Sequence, residues 1–313
     1  MISRRNIRVK VMQTLYSLSL LDPETMKKSV QQAGADILNE KLARSLDLFT
    51  TVILYAIRIA QYAEQDAHQR AGKYLPTPED LSVNIKIAGN EAVWQILSNE
   101  TFSEKIKISR IERHIDPEWV RKLYIELTRT PEYAAYLAAP SRDPKSEADI
   151  FRFIWEGVML KNEAFIEHLS DELPGWEDDF PMLQILMDNF FKGGKRFNFL
   201  HLVSGEKMEY ARELLQTAID KETYAMELIK PKLVNWEAER VAAIDLILLR
   251  MGVCELLYFP TIPTKVTINE YIDLAKMYST PQSGQFVNGV LDNLLKELSK
   301  EGKIRKNERG LKS

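Results

Sequence analysis

The sequence predicts an all-α protein. Three observations carry that reading: helix-start dipeptides recur along the chain, apolar residues fall at helical spacing, and no set of alternating apolar segments is joined by hairpin turns. A capping residue followed by proline stands at Asp22-Pro23, Thr77-Pro78, Asp116-Pro117, Thr130-Pro131, Asp143-Pro144 and Thr280-Pro281. The cap side chain accepts from the orphan amides of the first turn, where proline gives up no hydrogen bond. Thr267, with Glu270 three residues on, reads as a capping box.

Taken in order, the chain opens on the basic stretch MISRRNIRVK and an amphipathic helix that sets Val11, Leu15 and Leu18 along one side. Arg4, Arg5 and Arg8 crowd the start of this helix, where the dipole disfavours cations, so a compensating anion is expected there. The longest uncharged apolar run, Phe49 to Ile57, stops at Arg58. It is far short of the roughly 18–20 residues needed to cross a bilayer. AGKYLPTP (71–78) and APSRDPK (139–145) read as loops. Between them, Leu81 to Ile87 is the best strand candidate, and it is isolated. Phe151, Ile154, Trp155, Val158 and Met159 follow the i, i+3, i+4, i+7, i+8 pattern of one helix face. Gly193-Gly194 reads as a helix stop. It lies inside FKGGKRFNF (191–199), a mix of bases and aromatics that suits single-stranded nucleic acid, or a helix end whose rings return to the core; the second reading is favoured. Residues 241–259 are apolar nearly all round, broken by Asp245, Arg250 and Glu255, as in a central bundle helix. Val287, Val290, Leu291, Leu294 and Leu298 mark a last amphipathic helix.

Composition narrows the class. The chain has 313 residues, of which 45% are hydrophobic, enough to bury a sizeable core. One cysteine, Cys254, excludes an internal disulfide framework and fits a reducing, cytoplasmic compartment. Four scattered histidines argue against a metal centre, and no metal or other cofactor is expected. The basic N-terminus lacks an apolar core and a cleavage site, so it is not expected to be a secretory signal. The net charge of −3 is uneven: residues 1–10 carry +4 and residues 300–313 carry +4, which leaves −11 on the rest. An acidic body with two basic ends points to a local anion-binding surface.

Enzymatic motifs are absent. No phosphate-binding glycine fingerprint and no nucleophile elbow occur, and no acid pairs with a histidine at a spacing that implies catalysis. Cys254, inside the apolar helix, reads as a buried, inert thiol.

The C-terminal block carries a specific pattern. Leu249-Arg250 precedes Glu255-Leu256; Pro263, Val266, Ile268-Asn269-Glu270 and Leu274-Ala275-Lys276 follow; Ser283 and Phe286-Val287-Asn288-Gly289-Val290-Leu291-Asp292 complete it. With Arg4-Arg5, Arg8, Gln13, Leu15-Tyr16 at the start, and Tyr210 with Glu213-Leu214-Leu215, the chain resembles the NusB family of transcription antitermination factors. The resemblance covers about residues 1–20 and 209–306. It implies a NusB-like two-lobed helical bundle, with residues 21–208 as a helical insertion or enlarged N-terminal half and 209–313 as the C-terminal lobe with a basic tail. It implies no enzymatic activity. The implied ligand is boxA-type single-stranded RNA, bound together with the ribosomal protein NusE, within an assembly of other Nus factors and RNA polymerase that supports ribosomal RNA transcription. Arg4, Arg5, Arg8, Gln13, Tyr16 and Phe286 match family positions at the RNA surface. Phe286 is expected at a rim with its ring available to a base. Gln282 stands where relatives can carry an acid, and Asp245 matches an acid near the partner surface.

Two alternatives belong to other classes. RNA cytosine methyltransferases carry a NusB-like domain beside a catalytic one, but this chain lacks the glycine-rich cofactor loop and the catalytic cysteines. A helical protein–protein interaction module of the same fold, without RNA binding, is the second.

Overall fold

The computed structural model describes residues 2–22, 28–193, 197–201, 203–233 and 241–307, and among these there is no β-strand. Ala43–Leu202 form one compact unit; Ile2–Leu42 together with Val203–Ser313 form the other.

The first unit is built on most of α2 (Val30–Ala71), whose apolar run is its core. Phe49, Val52, Ile53, Leu54, Tyr55, Ile57, Ile59 and Ala60 are all essentially inaccessible. The apolar segment that stops at Arg58 is therefore a helix buried by its neighbours. Short helices follow: α3 (Pro78–Leu81), α4 (Glu91–Leu97), α5 (Glu100–Ser109), α6 (Pro117–Thr128), α7 (Pro131–Ala138), α8 (Pro144–Phe153), α9 (Glu163–Glu172) and α10 (Trp176–Gly193). A π-helical turn, Ile154–Met159, extends α8. Four of the predicted caps are made: Thr77 accepts from the Asp80 amide, Asp116 from Glu118, Thr130 from Tyr133 and Asp143 from Ser146. Phe49, Phe102, Phe190 and Phe199 pack as a ring cluster with centroids 4.8–6.1 Å apart. Of the aromatics of 191–199, Phe199 returns to the core as favoured, 1% exposed, while Phe191 and Phe197 are half-buried.

The second unit holds α1 (Arg4–Ser19), α11 (Gly205–Asp220), α12 (Glu222–Ile229), α13 (Ala243–Tyr258), α14 (Thr264–Tyr278) and α15 (Ser283–Lys300). As predicted, α13 is central: α1, α11, α12, α14 and α15 all touch it. Cys254 is buried there, and burial pushes its thiol up to about 12, so it stays protonated and inert.

Three local expectations are corrected. Residues 82–87 form no strand; an isolated strand leaves its backbone donors unpaired, and Asn84 instead turns the chain by accepting from the Lys86 amide at 2.9 Å. Thr280-Pro281 does not start a helix. Ser283 Oγ accepts from the Thr280 amide at 3.2 Å, the Ser283 amide bonds back to Thr280 O at 3.0 Å, and α15 begins only at Ser283. Thr267 and Glu270 form no capping box, because α14 already starts at Thr264 and both side chains are claimed by residues far away in sequence. Asp22-Pro23 and Gly194 fall at or outside the limits of the described residues.

Close approach of α13 to its neighbours depends on Gly252. A Cβ there would meet both Leu291 methyls at 3.0 Å and the Tyr271 ring at 3.4 Å. Gly252→Val is expected to lower stability by about 1–3 kcal/mol through overpacking, read from the urea midpoint at unchanged slope.

Candidate nucleic-acid interface

Helix α1 begins with a capping box of its own. Ser3 Oγ accepts from the Asn6 amide at 3.2 Å, and Asn6 Oδ1 accepts from the Ser3 amide at 3.3 Å. The first turn of α1 contains no acid. The anions that offset its arginines come from α11, α13 and α14 of the same chain.

Arg8 is 2% exposed and lies inside the unit. Its guanidinium forks onto the Glu255 carboxylate, with Nε to Oε2 at 2.9 Å and Nη2 to Oε1 at 2.7 Å; Nη1 reaches Glu270 at 3.2 Å. Glu255 is fully buried and also accepts from Tyr210 OH (2.7 Å), Thr267 Oγ1 (2.8 Å) and Tyr271 OH (3.2 Å). The Tyr210 and Tyr271 rings lie under the Arg8 guanidinium, 5.7 and 5.9 Å from their centroids. Burial raises both phenols well above their ordinary range, reinforced by the Glu255 charge, so they remain donors. For Glu255, burial favours the neutral acid, but the Arg8 charge and the donated hydrogen bonds outweigh it, and the carboxyl sits below its usual value. Lys306 donates to the Glu255 and Phe259 backbone carbonyls, at the C-terminal end of α13, at 3.1 and 2.9 Å.

Arg8 does not present its guanidinium to RNA as expected: its three nitrogens are bonded to Glu255 and Glu270 inside the unit. Arg5 is different. It bonds to Glu270 at 3.0 and 3.1 Å and to Asp273 at 2.7 Å, yet its side chain remains 42% exposed. The hydrogen bond to Glu270 is the main reason its guanidinium is held more firmly charged than usual. Arg4, also partly exposed, pairs with Glu206 at 3.1 Å and lies over the Tyr210 ring. Gln13 is half-buried and Tyr16 is exposed. At 100° per residue, Arg5, Gln13 and Tyr16 lie within about 80° of one another around α1.

At α15, Gln282 occupies the N-cap position and is exposed. Phe286 is not the rim residue expected. It is 6% exposed, because it shares a face with the buried Val290 and turns inward with it. Part of its ring still lines a shallow pocket of about 260 Å³, with Gln282, Gln285 and Lys232 around it. Asp245 is also buried, 4% exposed, and its Oδ2 accepts from Ser283 Oγ at 2.6 Å. Its other oxygen is enclosed with no hydrogen-bond partner among the described residues. Asp245 thus pins the start of α15 rather than presenting a carboxylate to solvent.

Sequence reasoning missed Glu255, Tyr210, Thr267, Tyr271 and Lys306 as one network. The available signal was a lone acid in the middle of an apolar helix, which demands a cation from elsewhere.

What the fold and this site define is an all-helical protein whose first helix is locked to its central helix by a buried arginine–glutamate pair. The sequence profile of the NusB family matches residues 194–296. The chain is 37% identical over 143 residues, 46% of its own length, to the transcription antitermination protein NusB of Geotalea daltonii, and covers 94% of that protein. It is 46% identical over 103 residues to the namesake protein of Salinibacter ruber and 48% identical over 77 residues to that of Chloroherpeton thalassium. Those matches take in 33% and 25% of this chain, and 64% and 36% of the respective relatives. The chain belongs to the NusB family. No solved structure gives a significant match. No described helix is long and apolar enough to cross a membrane.

The pH dependence follows from Glu255. Its carboxyl lies below the unfolded value of roughly 4.3, so its contribution is complete above that pH and is lost as pH falls through the folded value. The stability gap between the wild type and Glu255→Gln is expected to be widest at neutral pH and to narrow below about pH 4, measured by urea denaturation along a pH series.

Proposed function

We propose that this chain is a non-enzymatic transcription antitermination factor that binds boxA-type single-stranded RNA together with the ribosomal protein NusE. The observation that carries the reading is the pairing of partly exposed Arg4 and Arg5 with the exposed Tyr16 on one helix, in a chain whose relatives are named for transcription antitermination. Arginines exchange a carboxylate for a phosphate with little change of geometry, and an exposed tyrosine ring gives a base a stacking face. Gln13, half-buried, adds a hydrogen-bonding amide on the Arg5 and Tyr16 side of the helix. Gln282 and the accessible part of Phe286 form a second contact, a pocket sized for one base edge. Asp245 serves the partner surface indirectly, by holding the start of α15 through Ser283. Arg8 acts from the interior by fixing the helix that carries the other arginines. The assembly with other Nus factors and RNA polymerase, in the cytoplasm, belongs to the same proposal.

Residues 21–208 are proposed as a helical enlargement of the family architecture, with Ala43–Leu202 as its compact body.

The test is the salt dependence of boxA-type RNA binding by the full chain with NusE. Counterion release from a single strand gives a slope of about −0.7 per phosphate neutralised. The Arg4→Ala/Arg5→Ala double variant is expected to bind more weakly, with a slope about 1.4 units shallower if each arginine meets one phosphate. An unchanged slope contradicts the phosphate role of these arginines. Binding of NusE with no RNA binding supports the interaction-module alternative instead.

A further inference from the structure

The unit formed by Ala43–Leu202 contains a cavity of about 640 Å³ that the proposed RNA surface does not use. It opens among α4, α8 and α10, and its size falls within the range of small-molecule sites. The inner wall is made of Phe151, Phe190 and Phe199, all buried. Phe191 is the half-buried ring of the wall. Its orientation is set by edge contacts with Phe151 (6.1 Å, 64°) and Phe190 (5.6 Å, 67°), and by the Arg152 guanidinium 5.7 Å from its centroid. A ring fixed in this way loses little freedom when a second ring settles against it.

The polar groups of the cavity divide into two sets. Glu147 and Asn99 are already engaged. Glu147 accepts from Tyr136 OH at 2.9 Å, the Glu91 amide at 2.8 Å and Arg142 at 3.0 Å, while Asn99 donates to Phe197 O at 2.9 Å and caps α5. Exposed Glu91, Gln95 and Lys192 complete the lining. Among the described residues charge there is balanced: the Glu147 carboxylate is matched by Arg142, and one acid, Glu91, stands against one base, Lys192. A strongly charged ligand finds no net attraction from them. A flat, uncharged ring with donors and acceptors on its edge gains ring contact and hydrogen bonds to an amide that is both donor and acceptor.

We propose that this cavity binds an uncharged nitrogen heteroaromatic ring of the nucleobase type, packed against Phe191 with its polar edge at Gln95. The inference stands apart from the RNA surface on α1 and α15, since it needs no phosphate. The ring has two sources, a free nucleoside or a base within a single strand.

The experiment is ligand-observed NMR titration of the full chain with adenosine, guanosine, cytidine and uridine, and with the four corresponding tetranucleotides. At least one nucleoside is expected to saturate. Phe191→Ala is expected to weaken it about tenfold or more, as loss of one stacked base implies. Gln95→Ala is expected to alter the order of preference among the four bases, while Tyr74→Ser, at a fully exposed loop tyrosine, leaves binding unchanged. Phe191→Leu, which keeps an apolar side chain but no ring, serves if the alanine variant does not fold. A tetranucleotide that binds more tightly than its nucleoside, with the gain lost in Lys192→Ala, identifies a strand as the source; equal affinity identifies the free nucleoside. Lack of saturable binding by all four nucleosides overturns the proposal. So does binding that is unchanged in a folded Phe191 variant. Neither outcome bears on the salt dependence of the α1 arginines.

Discussion

The arrangement of α1 against α13 depends on one buried ion pair. Arg8 and Glu255 are nearly or wholly removed from water, and each is expensive to bury alone. What makes the pair tolerable is completeness: the fork is bidentate, both carboxylate oxygens take further donors, and two tyrosine rings lie near the guanidinium. Such a pair gives little net stability relative to a well-packed apolar core, yet losing one partner leaves a charge stranded. It also specifies geometry. Tyr210 on α11, Thr267 and Tyr271 on α14, and Arg8 on α1 all converge on a single carboxylate of α13, so these four helices share one fixed point.

That fixed point sorts the basic N-terminus into two roles. Arg8 is consumed by the interior. Arg4 and Arg5, four and three residues earlier, stay at the boundary with water, where exposed ion pairs are weak and exchangeable. The acids expected to offset cations at the wrong end of a helix prove to be Glu255, Glu270, Asp273 and Glu206 of the same chain. An RNA phosphate at Arg5 would compete with Glu270 and Asp273, which favours a site that discriminates by geometry as well as charge.

What was legible in the sequence was local. The caps at Thr77, Asp116, Thr130 and Asp143 need only residues two or three positions away, and the apolar face of α15 repeats within one helix. Thr267 and Glu270 misled because their spacing imitates a local motif, whereas Thr267 serves Glu255 and Glu270 serves Arg5 and Arg8, partners that only the folded chain brings near. The family pattern was legible as residue identities without their purposes. It marked Glu255, Arg8 and Tyr210 but not that they bond to one another, and it marked Phe286 but not the inward turn set by Val290. The site at α15 shows the same limit: Asp245 and Ser283 are 38 residues apart, and only their 2.6 Å hydrogen bond shows that one positions the other. Only one wall of the cavity among α4, α8 and α10 was marked in the sequence, the 191–199 segment that holds Phe191, Lys192 and Phe199; the other walls come from segments scattered between Glu91 and Phe151.

Arg8 is a structural residue and Arg5 is not. A pair of double-mutant cycles tests this directly, one on Arg8 and Glu255, the other on Arg5 and Glu270, each with urea unfolding as the readout. A coupling of about 2–3 kcal/mol is expected for the buried pair and below about 1 kcal/mol for the exposed one. Equal, small couplings in both cycles would contradict this, because Arg8 would then be no more bound to the fold than a surface arginine.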